Sequence, residues 1–132
     1  MKKKIFAALA ASVMLCGVLN APAAAEAKYK KGDVNMDGEI SSDDAILALT
    51  EYTYYLVAGK PHYLTDEQIE LADVDGKTVT ARSRTSKVSL DDCICILQYY
   101  TDCIADAKLK ETDILVWIQS RHPKLLGAES TR

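Results

Sequence analysis

Two acidic segments, each followed at once by a helical pattern of apolar residues, constrain this chain more than any other feature. Residues 40–46 read Ile-Ser-Ser-Asp-Asp-Ala-Ile, and residues 88–94 read Val-Ser-Leu-Asp-Asp-Cys-Ile. The sequence therefore contains a duplication of one loop-helix unit. Neither unit can bury its own apolar stripe alone, so we expect the two to pack antiparallel about a local two-fold axis.

The first acidic segment, residues 33–44, has the spacing of a calcium-binding EF-hand loop. Calcium takes oxygen ligands from loop positions 1, 3, 5, 7, 9 and 12, and glycine at position 6 makes the turn. Gly38 holds that position here. An Asx-rich surface turn is the alternative, but a match at every liganding position favours calcium. The predicted ligands are the side chains of Asp33, Asn35, Asp37, Ser41 and Asp44 and the backbone carbonyl of Glu39.

The second acidic segment keeps the two ends of this pattern and loses its middle. Residues 77–86 replace the expected acid and glycine, and they contain two arginines and no carboxylate. We expect a second calcium site of altered geometry, and a vestigial loop without an ion is the alternative. The predicted ligands are Asp73, Asp75, Ser89 and Asp92, with the missing oxygen supplied by Thr78, Ser83, Thr85, Ser86 or a backbone carbonyl.

Apolar spacings of three and four predict an all-α fold. A first helix should follow Asp44 and stop at Gly59 and Pro61. A capping box at residues 65–68 predicts a short linking helix over residues 66–72. The expected core stripes are Ala45, Ala48, Leu49, Tyr52 and Leu56 in the first helix and Cys93, Ile96, Leu97 and Tyr100 in the last.

Residues 1–25 have the pattern of a secretory signal peptide. Three lysines precede an apolar run over residues 5–19, and small residues follow it. The run is too short to predict membrane insertion. We expect cleavage after Ala25, with Ala27 as second choice, so that Cys16 is discarded with the peptide.

The remaining 107 residues, 132 less 25, carry 13 basic and 19 acidic side chains and a net charge of −6. This charge disfavours nucleic acid and anionic membranes as partners. A domain of this size has a marginal core without a disulfide or a metal. Cys93, Cys95 and Cys103 share one predicted helix, where their spacing prevents disulfide bonds, so a metal remains.

The chemistry of an enzyme is missing from the sequence. No nucleophile-base pair or phosphate-binding loop is present, and we predict that the chain is not an enzyme. His62 and His122 each stand beside a proline and are expected to be isolated surface residues.

Residues 29–106 resemble a type I dockerin module. The resemblance depends on Gly-Asp-Val-Asn-Met-Asp-Gly at residues 32–38, Leu-Thr-Asp-Glu-Gln at residues 64–68 and Ala-Asp-Val-Asp-Gly at residues 72–76. Dockerins lack the entering helix of the first repeat and close each loop with Asp, as Asp44 and Asp92 do here. The interrupted second loop is similar to that of divergent ruminococcal dockerins.

The resemblance implies a fold, cofactors and a partner. The fold would be a dockerin-like pair of calcium loop-helix (F-hand) repeats holding two Ca²⁺ ions. The partner would be a cohesin domain of a scaffoldin, in an extracellular cellulosome-type complex that degrades cellulose and other plant polysaccharides. The implied contact residues are Ser42, Asp43, Ile46, Leu47, Thr50 and Glu51 in the first repeat and Leu90, Asp91, Ile94, Cys95, Gln98 and Tyr99 in the second.

The position of three apolar residues supports a contact surface without reference to the family. Ile46, Leu47 and Ile94 lie off the predicted core stripes, and apolar residues in such positions often form a contact patch. The alternative is a wide apolar face that the tail covers.

The expected organisation is a signal peptide at residues 1–25, a dockerin domain at 26–108 and a tail at 109–132. Ile114, Trp117 and Ile118 predict a short tail helix packed on the domain. The protein would be secreted, monomeric before docking, and held at the cell surface or in a cellulosome by its cohesin. A calcium buffer or sensor without a cohesin, and an inhibitory or adaptor peptide carried by the tail, are the alternatives.

Overall fold

The computed structural model describes residues 28–126 of the 132-residue chain. The expected signal peptide and cleavage site lie outside these residues. The described part is mostly helical, as predicted, with one small sheet that was not predicted. Its elements are α1 (Ser42–Glu51), a π-helix (Tyr52–Val57), α2 (Asp66–Ala72), β1 (Val79–Ala81), β2 (Arg84–Ser86), α3 (Leu90–Ala105), a 3-10 helix (Ala107–Glu111) and α4 (Ile114–Arg121). None of the helices in residues 28–126 has the length and hydropathy to cross a bilayer.

Three helices begin with the same device, a capping box. Ser41, Thr65 and Ser89 each accept a hydrogen bond from a backbone amide of the first helical turn. The side chain three residues later accepts a hydrogen bond from the backbone N–H of the cap residue. The predicted bounds and cap of α2 are confirmed. In α1 and α3 the residue that accepts this bond is Asp44 or Asp92, the aspartate that closes an acidic loop. Each loop is therefore joined directly to its helix.

The core lies where α1 and α3 pack against each other, with α2 and α4 beside them. The predicted stripes are wrong at two positions, because Leu49 and Leu97 are 41% and 47% exposed. For Leu97 the physical reason is α4, which packs on α3 and places the buried side of that helix at Tyr99 and Cys103. The buried side of α3 consists of Asp92, Cys93, Cys95, Ile96, Tyr99 and Cys103.

The first helix does not end as a regular α-helix. After Glu51 it widens into a π-helix, in which the N–H of Ala58 reaches the carbonyl of Thr53 at 2.8 Å. Leu56 in this segment is buried, as predicted. Short π-helical segments are rare and leave irregular carbonyl groups at the helix end, which need partners.

Residues 77–86, the insertion in the second acidic loop, supply those partners. The insertion forms an antiparallel hairpin, β1–β2, whose turn residues Arg82 and Ser83 have φ of 51° and 65°. Arg82 donates to the carbonyl of Val57 at 2.8 Å, and Arg84 donates to that of Lys60 at 2.7 Å. The hairpin therefore caps the end of the first helix.

Replacing both arginines by alanine should lower the melting temperature of the calcium-loaded chain. Each lost charge-assisted hydrogen bond costs about 1–2 kcal/mol, which shifts the melting temperature of a domain this size by roughly 5 °C. Thermal unfolding followed by circular dichroism measures this shift. The matched control, Lys108→Ala, removes an exposed charge away from the hairpin. Equal melting temperatures for the arginine variant and the control would show that the hairpin does not support the helix.

Glu51 is buried rather than available to a partner, and this corrects one predicted contact residue. Its carboxylate accepts hydrogen bonds from the backbone N–H of Tyr63 at 2.8 Å and of Leu64 at 2.9 Å. It also pairs with Nδ1 of His62, whose ring stacks on Tyr55. His62 is therefore not isolated. The chain turns back at Pro61 toward the end of α1, and the backbone amides of Tyr63 and Leu64 there need an acceptor, which Glu51 supplies.

The predicted tail helix is present as α4, and its predicted stripe is buried. Ile114, Trp117 and Ile118 are 1%, 3% and 0% exposed. The indole N–H of Trp117 donates to Asp102 at 3.0 Å, and its ring lies edge-on to Tyr99. The described part of the tail is thus part of the same core as the two repeats.

Candidate metal centre and the apolar face beside it

The second acidic loop gathers three carboxylates. Oxygen atoms of Asp73, Asp75 and Asp92 lie within 4.8 Å of one another. Asp75 and Asp92 are buried, and Asp73 is half-buried. Among the His, Cys, Asp and Glu residues of the described range 28–126, these are the three whose ligand atoms lie close enough together to hold a metal ion. The clustered acids thus lie in the loop that the sequence predicted to be altered.

Hydrogen bonds fix the orientation of Asp92. Its Oδ1 atom accepts from the backbone N–H of Val74 at 2.9 Å and of Asp75 at 3.0 Å. Its Oδ2 atom accepts from the backbone N–H and the hydroxyl of Ser89 at 2.7 and 2.8 Å. The predicted ligand Ser89 therefore lies beside the cluster and caps α3.

Burial is the main influence on the pKa values of Asp92 and Asp73 in the metal-free chain. It raises the pKa of Asp92 to about 6, with a smaller contribution from the charge of Asp75 and opposition from the Ser89 hydrogen bonds. Burial also raises the pKa of Asp73, which the N–H of Gly76 opposes. Ionised acids that are buried together are stabilised by a cation, so the cluster has the electrostatic character of a metal site.

The raised pKa of Asp92 gives the metal-free chain an unusual dependence on pH. The stability that this group contributes is fully present below its ordinary pKa of 3.8 and is lost as the pH rises through about 6. In excess chelator, the free energy of unfolding should therefore increase by about 1 kcal/mol between pH 7.5 and pH 5. With excess calcium the sign should reverse, since protons compete with the ion.

Since the chain is expected to be mostly unfolded in chelator at pH 7.5, the folded fraction from circular dichroism at the two pH values measures the change in chelator. Urea unfolding at the same pH values measures the change with calcium. In Asp92→Asn the increase in chelator should be smaller than in the wild type, because only Asp73 and Asp44 then keep a raised pKa, whereas the control Asp91→Asn, which alters an exposed neighbour, should keep the full increase. An increase of equal size in both variants would assign the pH dependence to other groups.

The first loop folds around its own carboxylates. Asp33 accepts from the N–H groups of Asp37 at 3.1 Å and Gly38 at 2.9 Å, and Gly38 takes the expected left-handed turn with φ of 97°. Asp37 accepts from the N–H of Glu39 at 2.9 Å. Asp33 and Asp44 are buried, Asn35 and Ser41 are half-buried, and Asp37 and Glu39 are exposed. The role of these six residues as ligands stays a prediction.

The two loops repeat the same hydrogen bonds at their closing aspartates. The N–H of Asn35 reaches Oδ1 of Asp44 at 2.9 Å, as that of Asp75 reaches Asp92 at 3.0 Å. The N–H of Ser41 reaches Oδ2 of Asp44 at 2.7 Å, matching the same bond from Ser89 to Asp92. Burial raises the pKa of Asp44 as well. The duplication in the sequence is therefore a duplication of local structure.

Two of the four side-chain oxygens predicted to complete the second loop have other partners. Thr85 pairs with Thr80 across the hairpin at 2.9 Å. The Ser86 hydroxyl bonds with both backbone groups of Val88, and Ser83 lies in the hairpin turn. Thr78, which is exposed, or a backbone carbonyl near Gly76 remains to supply the missing ligand.

An apolar surface lies between the two long helices, and we call it the α1–α3 face. Its members are large apolar side chains that are 41% to 59% exposed, namely Ile46, Leu49, Leu90, Ile94 and Leu97. They line one groove together with Ser42, Ala45 and Cys93. Soluble domains rarely expose a contiguous apolar surface of this kind without a function.

This face contains some of the predicted contact residues and not others. Ser42, Ile46, Leu90 and Ile94 lie in it, and Asp43, Asp91 and Gln98 are exposed on the same helices. Leu47 packs against the core and Thr50 is half-buried. Like Glu51, Cys95 and Tyr99 are buried, so their prediction as surface residues is wrong. Tyr99 faces the tail instead, where its hydroxyl donates to the carbonyl of Thr112 at 2.7 Å.

Leu49 and Leu97 belong to the α1–α3 face and were assigned to the core by sequence reasoning. Each follows an exposed apolar residue, Ile46 or Ile94, by three positions, which places the pair on one side of its helix. That spacing is the signal that could have found them.

Comparison of the chain with protein-family models, with curated proteins and with solved structures finds no match. The geometry of the two loops and of the α1–α3 face therefore carries the functional inference, together with the dockerin resemblance of the sequence.

Proposed function

We propose that this chain is a secreted, calcium-dependent interaction module that binds a cohesin domain of a scaffoldin. The observation that carries the proposal is the α1–α3 face. It is apolar and exposed. It includes Ser42, Ile46, Leu90 and Ile94, which match positions at which dockerins contact their partner. Through the cohesin, the chain would join a cellulosome-type complex that degrades plant polysaccharides.

Calcium dependence follows from the link between loops and helices. Asp44 and Asp92 each close an acidic loop and cap a helix that forms the face. An ion in each loop would fix the first turns of α1 and α3 relative to each other. Metal binding would thereby form the binding surface as well as stabilise the fold.

The buried groups support an interaction role better than a catalytic one. Burial raises the pKa of the Cys93 and Cys95 thiols to about 12, which keeps them as unreactive thiols at neutral pH. We therefore propose no enzymatic activity. An inhibitory peptide in the tail has little support, because the stripe of α4 is already buried.

A panel of cohesin domains tests the proposal when titrated calorimetrically with the mature chain, in calcium and in chelator. At least one cohesin should bind in calcium and none in chelator. Ile94→Asp should weaken binding by at least about 100-fold, since it places a charge at the centre of an apolar interface. The matched control is Ile104→Asp, on the same helix but outside the face and 65% exposed, and it should bind as the wild type does.

A calcium buffer without a cohesin partner is the second candidate, and the carboxylate cluster of Asp73, Asp75 and Asp92 is the observation that favours it. The same titrations separate the two functions. Calcium binding with no cohesin bound from the panel would favour the buffer.

A further inference from the structure

The charged side chains of the two helices that form the α1–α3 face all have one sign. Neither α1 nor α3 contains a lysine or an arginine. Among their carboxylates, Asp44, Asp92 and Glu51 are buried and Asp102 is half-buried, while Asp43 and Asp91 are exposed. Each of these two exposed acids lies three residues before an isoleucine of the face, Ile46 or Ile94, and is therefore its neighbour on the helix surface.

This arrangement disfavours a second copy of the chain as the occupant of the face. Two copies joined through the same face would bring their Asp43 and Asp91 side chains into one rim, where like charges repel. The excess of acid in residues 26–132 comes from these two helices, because six of the 19 acidic side chains lie in them and the other 13 are balanced by 13 basic ones. Asp43 and Asp91 therefore favour a partner protein whose surface carries positive charge.

We infer that the partner of the α1–α3 face is a protein surface whose apolar centre is bordered by lysine or arginine side chains, which pair with Asp43 and Asp91. The inference rests on the proposed function, and it specifies which cohesins can bind. The apolar centre supplies most of the affinity. The rim charges steer association and reject cohesins whose binding surface is acidic.

Titrations of the mature chain with the cohesin panel in calcium, at low and high sodium chloride, test this inference. Binding should be confined to cohesins with a basic rim. For these, Asp43→Asn/Asp91→Asn should weaken affinity by about 10-fold at low salt and by less than about 2-fold at high salt, since salt screens exposed charges. The control Glu67→Gln/Glu111→Gln removes two exposed acids outside both helices and should leave the affinity and its salt dependence unchanged.

The other outcomes separate this inference from the function on which it rests. A cohesin that binds the double aspartate variant as tightly as the wild type, with the same salt dependence, would overturn the basic rim and leave the cohesin role intact. Binding to no cohesin would overturn both. A dimer in sedimentation that Ile94→Asp converts to a monomer would show that a second copy occupies the face.

Discussion

Chelation of calcium at neutral pH is expected to unfold the mature chain. In the second loop, carboxylate oxygens of Asp73, Asp75 and Asp92 lie within 4.8 Å of one another, and two of the three side chains are buried. Each ionised pair at about 5 Å repels by roughly 3 kcal/mol at an effective dielectric constant near 20. The repulsion of the three pairs together is comparable with the whole stability of a small domain. Far-ultraviolet circular dichroism in chelator should show a loss of helix that calcium reverses.

Variants in the two loops refine this expectation. Asp75→Asn removes a buried member of the cluster and should weaken calcium binding at least about 10-fold, as expected for a carboxylate ligand. Asp37→Ala should weaken binding at the first loop, whereas Thr78→Ala should have a smaller effect because a backbone carbonyl can replace its oxygen. Asp91→Asn, next to the cluster residue Asp92 but exposed, is the control. Unchanged helicity and melting temperature in chelator would contradict a structural role for the ion.

Removal of the tail after Lys108 should cause the second large effect. The truncation deletes Ile114, Trp117 and Ile118, which are almost completely buried. Each contributes about 1.5–3 kcal/mol by burial, and the cut also takes away the carbonyl acceptors of the Tyr99 hydroxyl. The melting temperature of the calcium-loaded chain should fall by more than about 10 °C.

The fluorescence of Trp117, the only tryptophan in the chain, gives an independent measure of its burial. Its emission should be blue-shifted in the intact chain and should shift to the red when calcium is removed. A shorter truncation after Leu126 keeps all of α4 and should leave the melting temperature unchanged. A solvated tryptophan spectrum, with no loss of stability after the longer truncation, would mean that the tail is a free arm.

Local signals predicted the parts of the fold that local interactions determine. The capping box at Thr65 and Gln68 predicted the start of α2, because its hydrogen bonds join residues only three positions apart, and the acidic segment that begins at Asp73 predicted its end. The turn at Gly38 and the stripe of α4 were predicted for the same reason. The alignment predicted that the two halves repeat one loop-helix unit, and the equivalent hydrogen bonds at Asp44 and Asp92 agree with it.

Long-range contacts determined the parts that were missed. Tyr99 is buried because Trp117 of α4 and the carbonyls of Leu109 and Thr112 cover that side of α3, which helical periodicity alone does not show. Cys95 is buried four residues earlier on the same side of the helix. Glu51 is buried because the chain returns to it 12 residues later at Tyr63. The insertion became a hairpin through pairing of its two halves, and its arginines found acceptors more than 20 residues away at Val57 and Lys60.

Sequential titration of the metal-stripped mature chain, first with calcium and then with a cohesin that binds it, tests the central claim most directly. The account predicts no cohesin binding before calcium, helix formation as calcium binds, and cohesin binding afterwards that Ile94→Asp weakens and Ile104→Asp does not. Cohesin binding of equal strength without calcium, or equal effects of the two substitutions, would contradict a calcium-formed α1–α3 face.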